Sequence, residues 1–173
     1  MPVPASVHSR IRLRERRRFG WLPTRLRVGP DVTAHRRRHP YGMAYCFVEH
    51  VGEVEIDLRA SSLAGVFDAA LEAFAELVAS DGKGAPERRV VELCAEDRAL
   101  LLADWLSELV FLAEVEQFVP TRVRAFELDG DHLRATLEGH RGEPRPLVKA
   151  VTLNNLRLEP EGGIWHGRVV VDV

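Results

Sequence analysis

Residues 147–173 read LVKAVTLNNLRLEPEGGIWHGRVVVDV, and the fold turns on how they are read. Two runs rich in β-branched residues, 148–158 and 164–171, flank Glu159-Pro160-Glu161-Gly162-Gly163. Pro and Gly-Gly punctuate a turn, and the flanking Val, Thr and Ile suit strands, so a β-hairpin is expected. The stretch stops at Asp172-Val173, directly off the second strand. The Asp172 side chain and the Val173 α-carboxylate then sit one residue apart on an ordered element. Such a concentration of hard oxygens suits a divalent cation. The plainer alternative is a frayed end with two solvated charges.

Upstream, the same local signals recur. Residues 121–128 and 132–138 flank Asp129-Gly130-Asp131, a strong hairpin signature. Residues 139–146, GHRGEPRP, read as a polar loop. Two segments have helical spacing. Leu63, Val66, Phe67, Ala70, Leu71, Phe74, Leu77 and Val78 follow a potential Ser61 or Ser62 cap, with the helix ending near Ser80. Residues 98–114 follow Glu96 or Asp97 and carry Leu101, Leu102, Trp105, Leu106, Leu109, Val110 and Leu112, a face wide enough to bury most of the helix. Strands are expected over 43–48, over 54–58, where Val54, Ile56 and Leu58 alternate with charges, and over 87–94. The order is β-β-α-β-α-β-β-β-β. It predicts an α+β domain of two layers, two helices on one face of a largely antiparallel or mixed sheet of about seven strands.

The net charge of −2 hides a division. Residues 1–40 hold 11 Arg against Glu15 and Asp31, a net +9, whereas residues 41–173 hold 13 Lys and Arg against 24 Asp and Glu, a net −11. We therefore expect residues 1–42 to form a basic, disordered tail and residues 43–173 the folded domain. The tail could hold RNA phosphates by counterion release. It could equally be inert, a translation start lying in truth at Met43, or a transit peptide, although Ser is scarce. No apolar run is long enough for a membrane span, and Cys46 and Cys94 build no disulfide framework, so a soluble, cytoplasmic protein is expected. Both Cys lie in strand-like runs and read as small buried hydrophobes.

Little in the residues points to catalysis. Gly82-Lys83-Gly84 follows a helix, whereas a phosphate loop follows a strand, so it reads as a surface turn. His132, His140 and His166 lie at or near turns and are expected to be solvated, and only His50, three residues before Glu53, sits in a suggestive loop. Asp104 and Glu108, four apart on one helix, read first as a solvated polar stripe. A small hydrolase using His50, Glu53 and Asp104 needs residues from separate elements to meet.

Three segments resemble the archease family, in the family's order. Tyr45 to Ile56, YCFVEHVGEVEI, is similar to its opening strand and His-Thr-Ala-Asp loop. DWLSELVFL, beginning at Asp104, resembles its Asp-Trp-Leu-Asn-Glu-Leu-Leu helix. VKAVT at Val148 and GRVVVDV at Gly167 resemble its C-terminal signature. The resemblance implies an archease-like α/β two-layer domain over 43–173. It implies a non-catalytic cofactor protein for the GTP-dependent RNA ligase of tRNA splicing and RNA repair, promoting guanylylation and repeated turnover. Some members are chaperone-like modulators of a tRNA methyltransferase. No small-molecule substrate and no membrane partner are implied, and tRNA would meet the basic tail. The family site is a divalent cation, commonly Ca2+, with Mg2+ the alternative. Carried over, its ligands are Glu53, Asp172 and the carboxylate of Val173. Glu53 stands where the family has Asp, Val51-Gly52 replaces Thr-Ala, and Leu153-Asn154 replaces a common Tyr-His. Converging carboxylates with no nearby Cys favour calcium, which tolerates irregular ligand distances better than magnesium.

Overall fold

The computed structural model describes residues 34–38, 44–78, 85–142 and 148–173. The expected helix end near Ser80, the expected turn at 82–84, residues 143–146 of the expected loop and most of the expected tail lie outside them. The elements are β1 (Ala34–Arg38), β2 (Ala44–His50), β3 (Glu53–Ala60), α1 (Leu63–Val78), β4 (Glu87–Cys94), α2 (Arg98–Glu114), β5 (Phe118–Asp129), β6 (His132–Arg141), β7 (Ala150–Glu161) and β8 (Ile164–Asp172).

The α+β class with two helices holds, and every described strand pair is antiparallel. The strands form two sheets rather than one, in the orders β1-β2-β3-β8-β7 and β4-β6-β5. The division follows from two long-range choices. The last hairpin adds to β3, and the Asp-Gly hairpin adds to β4. Periodicity marks strands but carries no record of such partners. β1 also lies within residues expected as tail and pairs with β2 from Ala34↔Val48 to Arg38↔Ala44.

Turn chemistry sets the hairpins. Gly162 and Gly163 have φ of 59° and 82°, the double positive φ that a type I′ turn requires, which only glycine adopts cheaply. The helices start at caps: Ser62 Oγ accepts from the Gly65 amide at 3.1 Å, and Asp97 Oδ1 accepts from the Leu100 amide at 2.8 Å.

Both helices touch strands of both sheets, so one core joins Ile56 and Leu58 to Leu133 and Leu137. Trp105 is its keystone. The indole is fully buried, donates Nε1–H to the Phe67 carbonyl at 3.0 Å, and meets the Phe67 and Phe126 rings edge-on at 6.2 and 6.3 Å.

Three further expectations need correction. β6 does not give way to a loop at Gly139 but pairs on to Arg141↔Phe118. A Cβ on Gly139 would lie 2.2 Å from the Val119 carbonyl oxygen, so glycine is what lets β5 lie this close. Cys46 is half-buried and Cys94 exposed, because each alternates away from a core neighbour, Phe47 and Leu93. Glu108 is buried rather than solvated. The helix lies against both sheets, which leaves only Arg98 at its start and a narrow stripe at Ser107, Phe111 and Glu114 exposed. Glu108 falls just off that stripe, and Asp104 is half-buried.

Candidate functional site

β3 alternates strictly. Val54, Ile56, Leu58 and Ala60 face the core, and Glu53, Glu55, Asp57 and Arg59 face away from it. In the β3–β8 register Glu53 stands opposite Asp172, and the row continues to His50 on one side and Ala150 on the other. Residues directly opposite across an antiparallel pair project to the same face, so the two carboxylates are neighbours. One residue on, the Val173 amide donates to the Gly52 carbonyl at 3.1 Å. The C-terminal residue is thereby tied to the β2–β3 turn, where Gly52 takes a φ of 79°.

The segment leading into β7 supplies a residue that the sequence reading left without a role. The Lys149 amide donates to the Asp172 carbonyl at 2.7 Å, and its Nζ donates to the Val173 carboxylate at 2.9 Å. Lys149 lies inside the VKAVT signature, yet a lysine beside a strand gives no sign of which distant anion it will meet. Glu53, Asp172 and the α-carboxylate bring three negative charges, and Lys149 returns one positive. Like charges directly opposite on a sheet repel, and the remaining two charges are what a divalent cation balances. The donors are hard oxygens, as calcium or magnesium prefers. Among the described residues no three His, Cys, Asp or Glu side chains stand close enough together to hold a metal ion.

The hydrolase trio is not assembled. His50 and Glu53 are cross-strand partners, but Asp104 belongs to α2, which packs through Leu102 on the Gly167–Leu58 face. The sheet lies between them.

Elsewhere on the outward face, Arg168 donates from Nε to Asp57 at 2.8 Å and lies 3.3 Å from Glu55. The bond to Asp57 raises the guanidinium pKa above its ordinary value. Burial, with the like charge of Glu116 second, raises the Glu108 carboxyl above the usual carboxylate range. A raised carboxyl is a common mark of an active site. Here Glu108 lies on the helix side of the sheet, away from the Glu53–Asp172 row.

Residues 45–173 match the profile of the Archease protein family (MTH1598/TM1083). The "Protein archease" of Methanosarcina acetivorans is 34% identical over 142 residues, which span 76% of this chain and 97% of that protein. The "Protein archease" of Methanothermobacter thermautotrophicus is 39% identical over 115 residues, 61% of this chain and 81% of that protein. The solution structure of Methanobacterium thermoautotrophicum Protein 1598 superposes with a TM-score of 0.57 at 28% identity, covering 77% of this chain and 99% of that one. A Thermotoga maritima archease, described as a possible chaperone, shares the fold with a TM-score of 0.55 at 19% identity, over 80% of this chain and 99% of its own.

Proposed function

We propose that this chain, which belongs to the archease family, is a non-catalytic protein cofactor that helps a cytoplasmic GTP-dependent RNA ligase become guanylylated and turn over repeatedly in tRNA splicing or RNA repair. The observation that carries this reading is the strapped terminus. Glu53 opposes Asp172, and Val173 is bonded to Gly52. This holds an anionic surface rigidly at one end of the sheet, with no nucleophile and base arranged beside it among the described residues. Such a surface is suited to docking rather than to turning over a substrate.

Glu53, Asp172 and the Val173 carboxylate would hold a calcium ion there. When bound, the cation supplies charge neutralisation and joins the β2–β3 turn to the end of β8. The chain's own part is to present the oxygens. The β3–β8 register sets Glu53 beside Asp172, and Lys149 anchors the α-carboxylate.

A multiple-turnover ligation assay with the cognate ligase tests the role. Turnover should rise when this protein is added, and no gain sinks it. Calorimetry tests the cation separately. Asp172→Asn should weaken calcium binding. One glycine appended after Val173 should do the same, because it moves the α-carboxylate about 3.5 Å along an extended chain. Equal affinity in both variants and the parent, or no binding by the parent, defeats the site.

A second reading rests on the +9 segment at residues 1–40. It makes the protein an RNA-binding or chaperone-like modulator of another RNA-processing enzyme, such as a tRNA methyltransferase. β1 pairs with β2, so the truncation for this test removes residues 1–33 and leaves β1 in place. Electrostatic tRNA binding through the tail should then disappear, and with the tail present it should fall steeply with salt. Binding unchanged by the truncation excludes the tail as the contact.

A further inference from the structure

Among the described residues the two sheets present four edges, β1, β7, β4 and β5. An open edge is a template for another strand, and proteins blunt it with short length, charge, proline or bulges. β1 has five residues, three of them consecutive Arg. β7 breaks register between Thr152 and Arg157, where Asn155 takes a φ of 54°. β5 breaks register twice and includes Pro120. β4 is neither short nor bulged, and its charges, Glu87, Arg88, Arg89 and Glu92, are of mixed sign rather than one sign. It runs eight residues without proline, pairs one-to-one with β6 from Glu87↔Gly139 to Cys94↔His132, and presents Val90 at 46% exposure on its outward face.

The sequence of that edge is complementary to itself. Arg88, Val90, Glu92 and Cys94 face outward, and Val91 and Leu93 face the core. In a two-fold antiparallel pairing centred on Val90, Arg88 opposes Glu92 of the second copy, Val90 opposes Val90, and Glu92 opposes Arg88. The neighbouring registers are worse. Centring on Arg88, Arg89 or Glu92 sets like charges against each other at the axis. Centring on Val91 leaves Glu92 opposite Val90. Opposite charges and β-branched pairs across strands stabilise an antiparallel sheet, and like charges destabilise it. Within the chain, Arg88 and Glu92 pair with Glu138 at 3.7 Å and Arg134 at 3.3 Å, yet both side chains stay largely exposed and within reach of a second copy.

We propose that β4 is a homodimerisation edge. Two copies join β4 to β4 about a two-fold axis at Val90 and make one six-stranded sheet, β5-β6-β4-β4-β6-β5. The interface is isologous, as two-fold dimers require. It leaves the Glu53–Asp172 row untouched, because that row belongs to the other sheet.

Sedimentation equilibrium of the full chain across a concentration series tests this. The parent should show a concentration-dependent mass rising to twice 19.5 kDa. Arg88→Glu alone sets carboxylate against carboxylate at both ends of the pairing, and Glu92→Arg alone sets guanidinium against guanidinium, so each variant should stay at the single-chain mass. Mixed in equal amounts they restore both opposite-charge pairs, and the dimer should return as a heterodimer. β4 amides should exchange more slowly with rising protein concentration in the parent, and those of β1 should not change. Single-chain mass for the parent throughout overturns the proposal. So does a dimer that survives either single variant, or a mixture that fails to recover it.

Discussion

The two sheets share one core but differ in how their outward charges are met. On the three-stranded sheet Glu87, Glu92 and Glu138 each have an arginine. Glu138 lies between Arg88 and Arg124, Glu92 meets Arg134, and Glu87 takes both Arg89 and Arg141. On the five-stranded sheet Arg168 serves Glu55 and Asp57. At its terminal end, though, Glu53 stands opposite Asp172, and the ammonium of Lys149 is bonded to Val173 rather than to either of them. A face whose charges are matched within the chain has no need of a counter-ion, even where, as at β4, its edge is open to a second strand. A cluster with charge left over invites a counter-ion or a cationic partner, and this second region carries the family likeness of both the opening strand and the C-terminal signature.

Both sheets rest on one support. Trp105→Ala removes the ring that joins α1, α2 and β5, and should cost about 3–5 kcal/mol. Denaturant unfolding should show both sheets lost in one transition. Two transitions would mean that the sheets are independently stable.

Each sheet also has one glycine at which a single methyl tests its packing. Gly139→Ala would press a Cβ against the Val119 carbonyl and Pro120 Cα, both backbone atoms that cannot rotate aside. We expect a loss of about 3 kcal/mol, the upper end for overpacking. At Gly167 the nearest atoms are the Val66 and Leu102 side chains at 2.9 and 3.2 Å, so Gly167→Ala should cost only about 1 kcal/mol. Equal losses in chemical denaturation would show that the β5–β6 approach is no tighter than the helix–sheet contact.

The last and smallest effect is in pH dependence. Glu108 has a raised carboxyl pKa in the folded state, so ionising it costs stability as pH climbs from its unfolded value through its folded one. Glu108→Gln should therefore be more thermally stable than the parent at neutral pH, and its advantage should vanish below the ordinary carboxylate value. Glu138 works in the opposite sense. Its bond to Arg124 lowers its pKa, so its contribution is present above the unfolded value and is lost as pH falls through the folded one. Glu138→Gln should lose stability at neutral pH and converge with the parent in acid. Thermal scans across a pH series check both signs.

Local signals were legible along almost the whole described chain. The 3.6-residue spacing of α1 and α2, the alternation in β3, Asp97 as a cap and the Asp-Gly and Gly-Gly turns each depend on residues within a few positions of one another. For the same reason the expected helix over 98–114 coincides with α2. The limits lay in interactions between distant segments. Nothing near Gly139 states that Val119 will press on it, and helical spacing alone does not say that α2 has two sheets around it, which is why Glu108 is buried. Glu53, Asp172 and Val173 could be named as candidates from their chemistry and the family resemblance. That Glu53 stands opposite Asp172, and that Lys149 reaches the α-carboxylate, came only with the β3–β8 and β7–β8 registers. The sequence by itself determined most of the elements, β1 and the end of β6 excepted, because helix and strand periodicity are properties of neighbours along the chain. Tertiary structure alone decided which strands join and which charges remain uncompensated, because pairing between segments over a hundred residues apart depends on the packing of the whole core.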